Sequence, residues 1–198
     1  MLKQALRTGA VLVWLLGALL LGGVLLIRHL VALPVPAATD RALVAAVRAV
    51  LPDHTWGAVH VMYRECPCSQ RTITHLLATA RPTGVRELVI VVDDHGKGAA
   101  EDARLRSAGF AVEVVDPAAL AARFHIEAAP VLIVVAPDGS VAYLGGYNRH
   151  KQSAAYEDLA IIAEARAAQP PPALPVFGCA TSARLARALD PLHLARTP

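Results

Sequence analysis

The chain has 198 residues, a formal net charge of +3 and three cysteines. This length allows one ordinary domain with an appendage, and three cysteines are too few for a disulfide framework that staples a whole fold. The excess positive charge belongs to residues 1–28, and the remaining Lys and Arg residues balance the Asp and Glu residues. The main part of the chain therefore lacks the basic field of a nucleic-acid-binding protein.

An uncharged segment lies near the start of the chain. From Gly9 to Ile27 no side chain is charged or polar, a run of 19 residues. This run predicts a transmembrane signal anchor over residues 9–30, with residues 1–8 in the cytoplasm and residues 31–39 as a linker. A cleaved signal peptide is the alternative, because Val35-Pro36-Ala37 offers small residues at a cleavage-like spacing.

The flanking cations predict the orientation of this anchor. Lys3 and Arg7 precede the uncharged run, and Arg28 follows it. With the amino terminus added, the N-terminal flank is the more positive and is expected to stay in the cytoplasm. We therefore expect a single-pass protein of a bacterial inner membrane. Its soluble domain would face the periplasm, where disulfides persist.

The rest of the chain alternates between strand-like and helix-like segments. This order predicts an α/β domain over residues 40–168, with a parallel sheet to which a final hairpin adds antiparallel strands. Residues 169–198 are predicted to form a C-terminal extension with one helix. The predicted strands are 56–63, 87–92, 110–115, 131–136 and 141–144, and the predicted helices are 40–51, 68–80, 99–107, 117–124, 153–168 and 182–189.

Two cysteines, Cys66 and Cys68, lie where the first strand turns into a helix. A helix start offers unpaired N–H groups and the positive end of the peptide dipole, which stabilise a thiolate. Arg64 and Arg71 are expected to favour the thiolate further, and Glu65 to oppose it. The Cys66-Pro67-Cys68 turn therefore predicts redox or metal chemistry.

The arrangement around this turn resembles the thioredoxin superfamily. A strand, the cysteine turn, a helix and two further βα units precede Ala129-Pro130, a strand and a hairpin. The resemblance covers about residues 54–168 and implies a thioredoxin-like fold, a mixed central sheet flanked by helices. It also implies a cis Pro130 that faces the cysteines and whose preceding backbone pairs with a substrate chain.

Two narrower resemblances add expectations about activity. The extra βα unit before Pro130 is similar to membrane-tethered, extracytoplasmic redoxins of the TlpA/ResA type. The Cys66-Pro67-Cys68 motif and the Phe177-Gly178-Cys179 tail resemble the bacterial proteins called RedB. Together they imply a thiol–disulfide oxidoreductase without a cofactor. Its partners would be cysteine-containing proteins and a thiol–disulfide electron donor or acceptor.

The motif is one residue shorter than the family's C-x-x-C, so two alignments remain open. In the first, Cys68 is the buried resolving thiol and Glu65 occupies the place of the nucleophile. In the second, Cys66 is the nucleophile, Ser69 replaces the resolving cysteine and Cys68 is additional. We prefer the second, because it leaves a thiol at the exposed reactive position. Cys68 would then resolve the mixed disulfide, with Cys179 as a further candidate.

A bond between Cys66 and Cys68 has a geometric condition. Residues i and i+2 of a helix do not face one another, so Cys66 must lie in the turn before the helix. The resulting ring would be small, and strained disulfides are readily reduced.

Copper binding is the rival hypothesis. Thiolates of Cys66 and Cys68 with a histidine suit the soft copper(I) ion. His60, His75 and His150 are candidate ligands, and His60 lies on the strand that leads to the motif. The copper-delivery relatives resemble a C-x-x-x-C motif with a distant histidine, a spacing that this chain lacks. The alternative function is therefore a copper-binding chaperone of the thioredoxin fold that uses Cys66, Cys68 and His60.

Overall fold

The computed structural model describes residues 2–30, 32–51, 54–93, 95–96, 98–151, 153–169 and 171–190. In the first helix, side chains are described for residues 7–23. The chain divides into two compact units, Met1–Val31 and Ala32–Pro198, which we take separately. Residues 191–198 of the predicted C-terminal extension lie outside the described residues.

The first unit is a single helix, α1, which runs over Leu2–Leu30. The anchor predicted for residues 9–30 falls within it. Across the described residues, however, no helix combines the length and the apolar character needed to cross a membrane.

The second unit is built on a mixed five-stranded sheet in the order β3-β2-β1-β5-β6. β1 pairs in parallel with β2 and antiparallel with β5, so it lies at the centre of the sheet. The strands are β1 Trp56–Tyr63, β2 Val85–Val92, β3 Ala111–Val115, β4 Ala128–Ala129, β5 Val131–Val135, β6 Val141–Gly145 and β7 Cys179–Ala180. The helices are α2 Arg41–Val50, α3 Pro67–Ala78, α4 Ala99–Ser107, α5 Pro117–Phe124, α6 Asp158–Arg166 and α7 Ala183–Leu189.

Alternate residues of the central strand enter two separate cores. Val59 and Val61 of β1 pack with residues of α2 and α5. Ala58 and Met62 pack on the opposite face with residues of α3 and α6. Successive side chains of a strand point to opposite faces, so a strand covered on both faces is apolar throughout. The predicted mixed α/β sheet flanked by helices is therefore confirmed.

The final long helix is shorter than predicted. Ser153–Ala168 was expected to be helical, whereas α6 covers only Asp158–Arg166. Residues before it form a turn instead, in which the Asn148 side-chain amide donates to the carbonyl oxygens of Ser153 and Ala155. Side-chain amides that bond to nearby backbone compete with the helix in this way.

The linker and the C-terminal extension both pack against the domain. Leu33 pairs with Val176 in an isolated bridge, and Val176 is only 2% exposed. Strand β7 of the extension pairs with β4, a pairing that the sequence did not predict. Strands of two residues carry no recognisable periodic pattern, so only tertiary contacts reveal them.

Candidate functional site

The cysteine turn connects the end of β1 to the start of α3. Cys66 caps α3 with an extended backbone, and Pro67 is the first helical residue, where its missing N–H is not needed. The Ser69 hydroxyl accepts a 3.0 Å hydrogen bond from the Tyr63 N–H and holds the helix start to the strand end. Cys66 thus lies in the turn rather than in the helix, which meets the geometric condition for a bond to Cys68.

The exposures of the two cysteines are the reverse of what we expected. Cys66, preferred as the exposed nucleophile, is 0% exposed, whereas Cys68 is partly exposed. The Cys66 sulfur lies 3.8 Å from the Ala129 carbonyl oxygen. The expectation was wrong because distant segments, which the local motif does not reveal, cover this side of the turn.

The Ala129–Pro130 bond is cis, as the resemblance implied. The backbone of Ala129, however, is already paired, because Ala129 and Cys179 are partners in the β4–β7 ladder. Gly178 lies directly on this peptide. A Cβ atom there would overlap the Ala129 carbonyl oxygen and lie 2.7 Å from Pro130 Cδ. The close approach therefore requires glycine and places the chain's own tail at the edge predicted for a substrate.

This pairing brings Cys179 to the cysteine turn. The thiol of Cys66 interacts with the thiols of both Cys68 and Cys179, and all three cysteines are free. The structure therefore brings together the four residues predicted as the site: Cys66, Cys68, Cys179 and Pro130.

The three thiols influence one another's protonation. The interaction between Cys66 and Cys179 lowers the pKa of Cys179 and raises the pKa of Cys66. The interaction with Cys66, together with burial, raises the pKa of Cys68 against the field of Arg71. Such coupled groups titrate as a unit. The cluster therefore accommodates its first negative charge at the Cys179 end.

Only one of the two predicted arginines faces the thiols. Arg71 Nη2 lies 3.8 Å from the Cys68 sulfur. Arg64 instead binds three carboxylates, at 2.7 Å from Asp93 and 2.9 Å from both Glu101 and Asp102. Its charge is neutralised there, so the expectation that Arg64 stabilises a thiolate was wrong.

His60 belongs to a buried polar network rather than to the thiol cluster. Its Nδ1 lies 2.8 Å from the Tyr147 hydroxyl, and its Nε2 faces Glu87 at 3.8 Å. Arg81 connects the carboxylates of Glu87 and Asp158, with its nitrogens 2.8 Å from an oxygen of each. Sequence reasoning missed this network, because its members come from four separate segments.

The copper-binding set is not assembled. In the described part of the chain, no three His, Cys, Asp or Glu side chains are grouped so that they could hold a metal ion. His75 binds Asp158 at 2.9 Å and stacks on Tyr156, so it also lies in the buried network. In this structure Cys66, Cys68 and His60 are therefore not grouped as a ligand set, and copper binding stays a prediction.

A shallow cavity that is open to solvent lies beside Cys68. We call it the Cys68 cavity. Arg71 and His150 contribute polar groups to its wall, and Phe177 and Pro130 contribute apolar surface. Cys68 is the one cysteine among the described lining residues. The Cys68 thiol thus opens to the surface beside a cationic side chain.

Comparisons with known proteins extend only to the fold. No protein-family model and no curated protein matches the chain. A hypothetical protein from Sinorhizobium meliloti 1021 aligns with a TM-score of 0.53 and 17% identity, over 67% of this chain and 82% of that chain. An uncharacterized conserved protein from Geobacillus kaustophilus aligns with a TM-score of 0.51 and 16% identity, over 65% of this chain and 77% of that chain.

A secreted disulfide oxidoreductase from Mycobacterium tuberculosis aligns less well, with a TM-score of 0.42 and 12% identity. The alignment covers 60% of this chain and 85% of that chain. The two better alignments agree with the fold described above, and that fold is thioredoxin-like in its mixed sheet, flanking helices and cis proline.

Proposed function

We propose that this protein is a thiol–disulfide oxidoreductase whose three cysteines act in series. The observation that carries the proposal is the position of Cys66. It caps the helix two residues before Cys68, and its sulfur lies 3.8 Å from the carbonyl oxygen of Ala129, the ladder partner of Cys179. Cys68 and Cys179 are both partly exposed, whereas Cys66 is fully buried. We take Cys68 as the entry point because it lines an open cavity and lies beside Arg71.

Proton transfer within the cluster would supply the attacking thiolate. The pKa of Cys179 is lowered and the pKa of Cys68 is raised, so Cys179 is the thiol that ionises more readily. Transfer of the Cys68 proton by way of Cys66 to Cys179 would place the thiolate on Cys68. The guanidinium of Arg71, 3.8 Å from the Cys68 sulfur, stabilises the charge there.

The reaction then proceeds by three exchanges. The Cys68 thiolate attacks a partner disulfide, forms a mixed disulfide and releases one partner thiol. Cys66 attacks the Cys68 sulfur and releases the second partner thiol. Cys179 attacks the Cys66 sulfur, which leaves a Cys66–Cys179 disulfide and frees Cys68. The partner disulfide gains two electrons and two protons, and the protein dithiol loses them; the reverse sequence oxidises a partner dithiol.

A redox titration of the full chain tests this relay. We expect one two-electron transition and, in the oxidised protein, a Cys66–Cys179 peptide pair in non-reducing mass spectrometry. Cys66→Ser should abolish the transition. Cys179→Ser should leave a Cys66–Cys68 disulfide that is reduced at a more positive potential, because its ring is small. Thr74→Ala, on an exposed part of α3, serves as the control and should leave the transition unchanged.

Two outcomes would refute the proposal. One is the absence of any reversible disulfide across the buffer series in the wild-type protein. The other is stoichiometric copper in the purified protein together with thiols that never form a disulfide, which would restore the copper-chaperone hypothesis. Copper is therefore measured in the same samples.

We also propose that the protein acts at the outer side of a bacterial inner membrane. The support is the uncharged run Gly9–Ile27 after Lys3 and Arg7, and the exposure of apolar side chains such as Trp14 on α1. A reporter enzyme that is active only in the periplasm, fused to the C-terminus, should be active and should sediment with membranes. A cleaved N-terminus in the mature protein would favour the signal-peptide alternative, and an inactive reporter would refute the location.

Cysteine-containing proteins were the partners predicted from the resemblance. In the structure, an extended partner chain meets an occupied edge, because β7 already pairs with Ala129. A protein partner at this edge would therefore need to displace the tail first.

A further inference from the structure

We propose that Cys68 exchanges with a small disulfide that carries carboxylate groups and binds in the Cys68 cavity. This inference rests on the proposed function and narrows its substrate class. Three features of the described residues support it: the occupied peptide edge, the access to Cys68 and the charge of the cavity wall.

The first feature excludes extended polypeptides from the backbone edge at Ala129, where the resemblance predicted that a substrate chain would pair. Gly178 lies so close to the Ala129–Pro130 peptide that even a Cβ atom would overlap the Ala129 carbonyl oxygen. Cys179 is the ladder partner of Ala129, so the backbone of β7 already occupies the edge of β4. A second chain therefore has no room beside Ala129 while β7 is in place. A small molecule does not need this edge.

The second feature is the route to sulfur. Cys66 is 0% exposed, whereas Cys68 and Cys179 are both partly exposed. Of these two, only Cys68 is among the described residues that line the open Cys68 cavity. A disulfide compound of a few carbon atoms on each sulfur can therefore approach Cys68 from this open side.

The third feature is electrostatic. Arg71 and His150 line the cavity, and none of the described lining residues is acidic. The Arg71 Nε donates to the Pro67 carbonyl oxygen at 3.3 Å, and no carboxylate of a described residue lies within ion-pair distance of its guanidinium. Its charge is thus available to a ligand anion beside the Cys68 sulfur. A carboxylate on the substrate would supply the missing partner.

Three disulfides of similar size and different charge test this inference. They are dithiodipropionate, which is anionic, bis(2-hydroxyethyl) disulfide, which is neutral, and cystamine, which is cationic. The reduced full-length protein is mixed with each at low ionic strength, and the rate of Cys66–Cys179 formation is followed. We expect the anion to react about fivefold faster than the neutral compound, and the neutral compound about fivefold faster than the cation, as for charges about 4 Å apart in water.

Variants of Arg71 separate ligand recognition from thiol activation. Arg71→Gln should remove the dependence of the rate on the charge of the disulfide, and Arg71→Lys should keep it. A residue that acted only on the Cys68 thiolate would change all three rates by the same factor. Arg106→Gln, which removes an exposed arginine on α4, is the matched control and should keep the order. In the wild-type protein, 0.5 M salt should slow the anion and speed up the cation.

The outcomes distinguish this inference from the proposed function. Equal rates for the three compounds, or an order that persists in Arg71→Gln, would overturn the inference while the redox transition itself stands. An extended peptide disulfide that reacts as fast as dithiodipropionate, with β7 in place, would also overturn it. The absence of any redox transition would instead refute the oxidoreductase proposal.

Discussion

Replacement of Gly178 by alanine is expected to detach the tail strand from the cysteine site. The alanine Cβ would overlap the Ala129 carbonyl oxygen and lie 2.6 Å from the carbonyl carbon and 2.7 Å from Pro130 Cδ. All three atoms belong to backbone or to a proline ring, so they cannot rotate away as a flexible side chain would. The strand must therefore move outward by roughly 1.5–2 Å to bring the overlapping atoms to ordinary contact distances of about 3.5 Å.

The size of the effect follows from the cost of overpacking. Extra methyl groups in well-packed sites destabilise proteins by about 1–3 kcal/mol. If this cost acts on the closed position of β7, the open population rises by a factor of about 5 to 150, since 1.4 kcal/mol corresponds to a factor of ten. The buried Cys66 sulfur lies against Ala129, with which the tail strand pairs. If detachment of the tail uncovers Cys66, its alkylation rate should rise by the same factor.

Alkylation of the reduced protein, resolved by peptide mass spectrometry, measures this rate for each cysteine. Cys68 is already partly exposed and serves as an internal reference that should change little. Gly22→Ala is the matched control, because no atom lies within 4 Å of a Cβ at that position. A folded Gly178→Ala protein whose Cys66 reacts no faster than in the wild-type protein would refute the reasoning about the tail.

Three further predictions concern the buried network. Burial raises the pKa of Glu87, but His60 and Arg81 outweigh it and lower the pKa to about 2. The contribution of Glu87 to the free energy of unfolding is present above pH 4.5 and should fall by about 3 kcal/mol as the pH approaches 2. Urea unfolding at a series of pH values should show this loss. A Glu87→Gln protein that loses the same free energy of unfolding over this pH range would contradict the prediction. Arg81→Met removes the arginine shared by the buried carboxylates of Glu87 and Asp158, which keep histidine neighbours, and should destabilise the fold by about 3–5 kcal/mol in urea unfolding. A change below about 1 kcal/mol would refute the network's importance. Tyr147→Phe removes the 2.8 Å contact to His60 and should lower stability by about 1–3 kcal/mol in thermal unfolding, whereas an unchanged melting temperature would contradict this contact's role.

Most elements of the main sheet could be predicted from local patterns. β1 was predicted as residues 56–63 and is observed as Trp56–Tyr63, and α5 was predicted as residues 117–124 and is observed as Pro117–Phe124. Both have strong local signals: a nearly continuous apolar run in β1, and an Asp116 cap with Pro117 at the first position in α5. Such signals depend on neighbours in the chain, so one sequence is sufficient to detect them.

The boundaries of α6 and the existence of β4 and β7 could not be predicted in this way. The stretch before α6 is not helical, because Asn148 binds its backbone across several residues. The pairing of Ala129 with Cys179 joins positions 50 residues apart, and neither strand is long enough to show a period. These features follow from contacts between distant segments, to which local patterns are insensitive.

The sequence by itself determined where the candidate thiol site lies. It placed Cys66 and Cys68 at the start of a helix after a central strand, and it marked Pro130 and Cys179 as candidate neighbours. Only the tertiary structure decided which thiols are accessible and what fills the partner edge. The physical reason is that solvent exposure depends on every segment that packs against an atom. Here the tail with Gly178 and Cys179 lies over Ala129, Cys66 is buried, and Cys68 is left open to a small cavity.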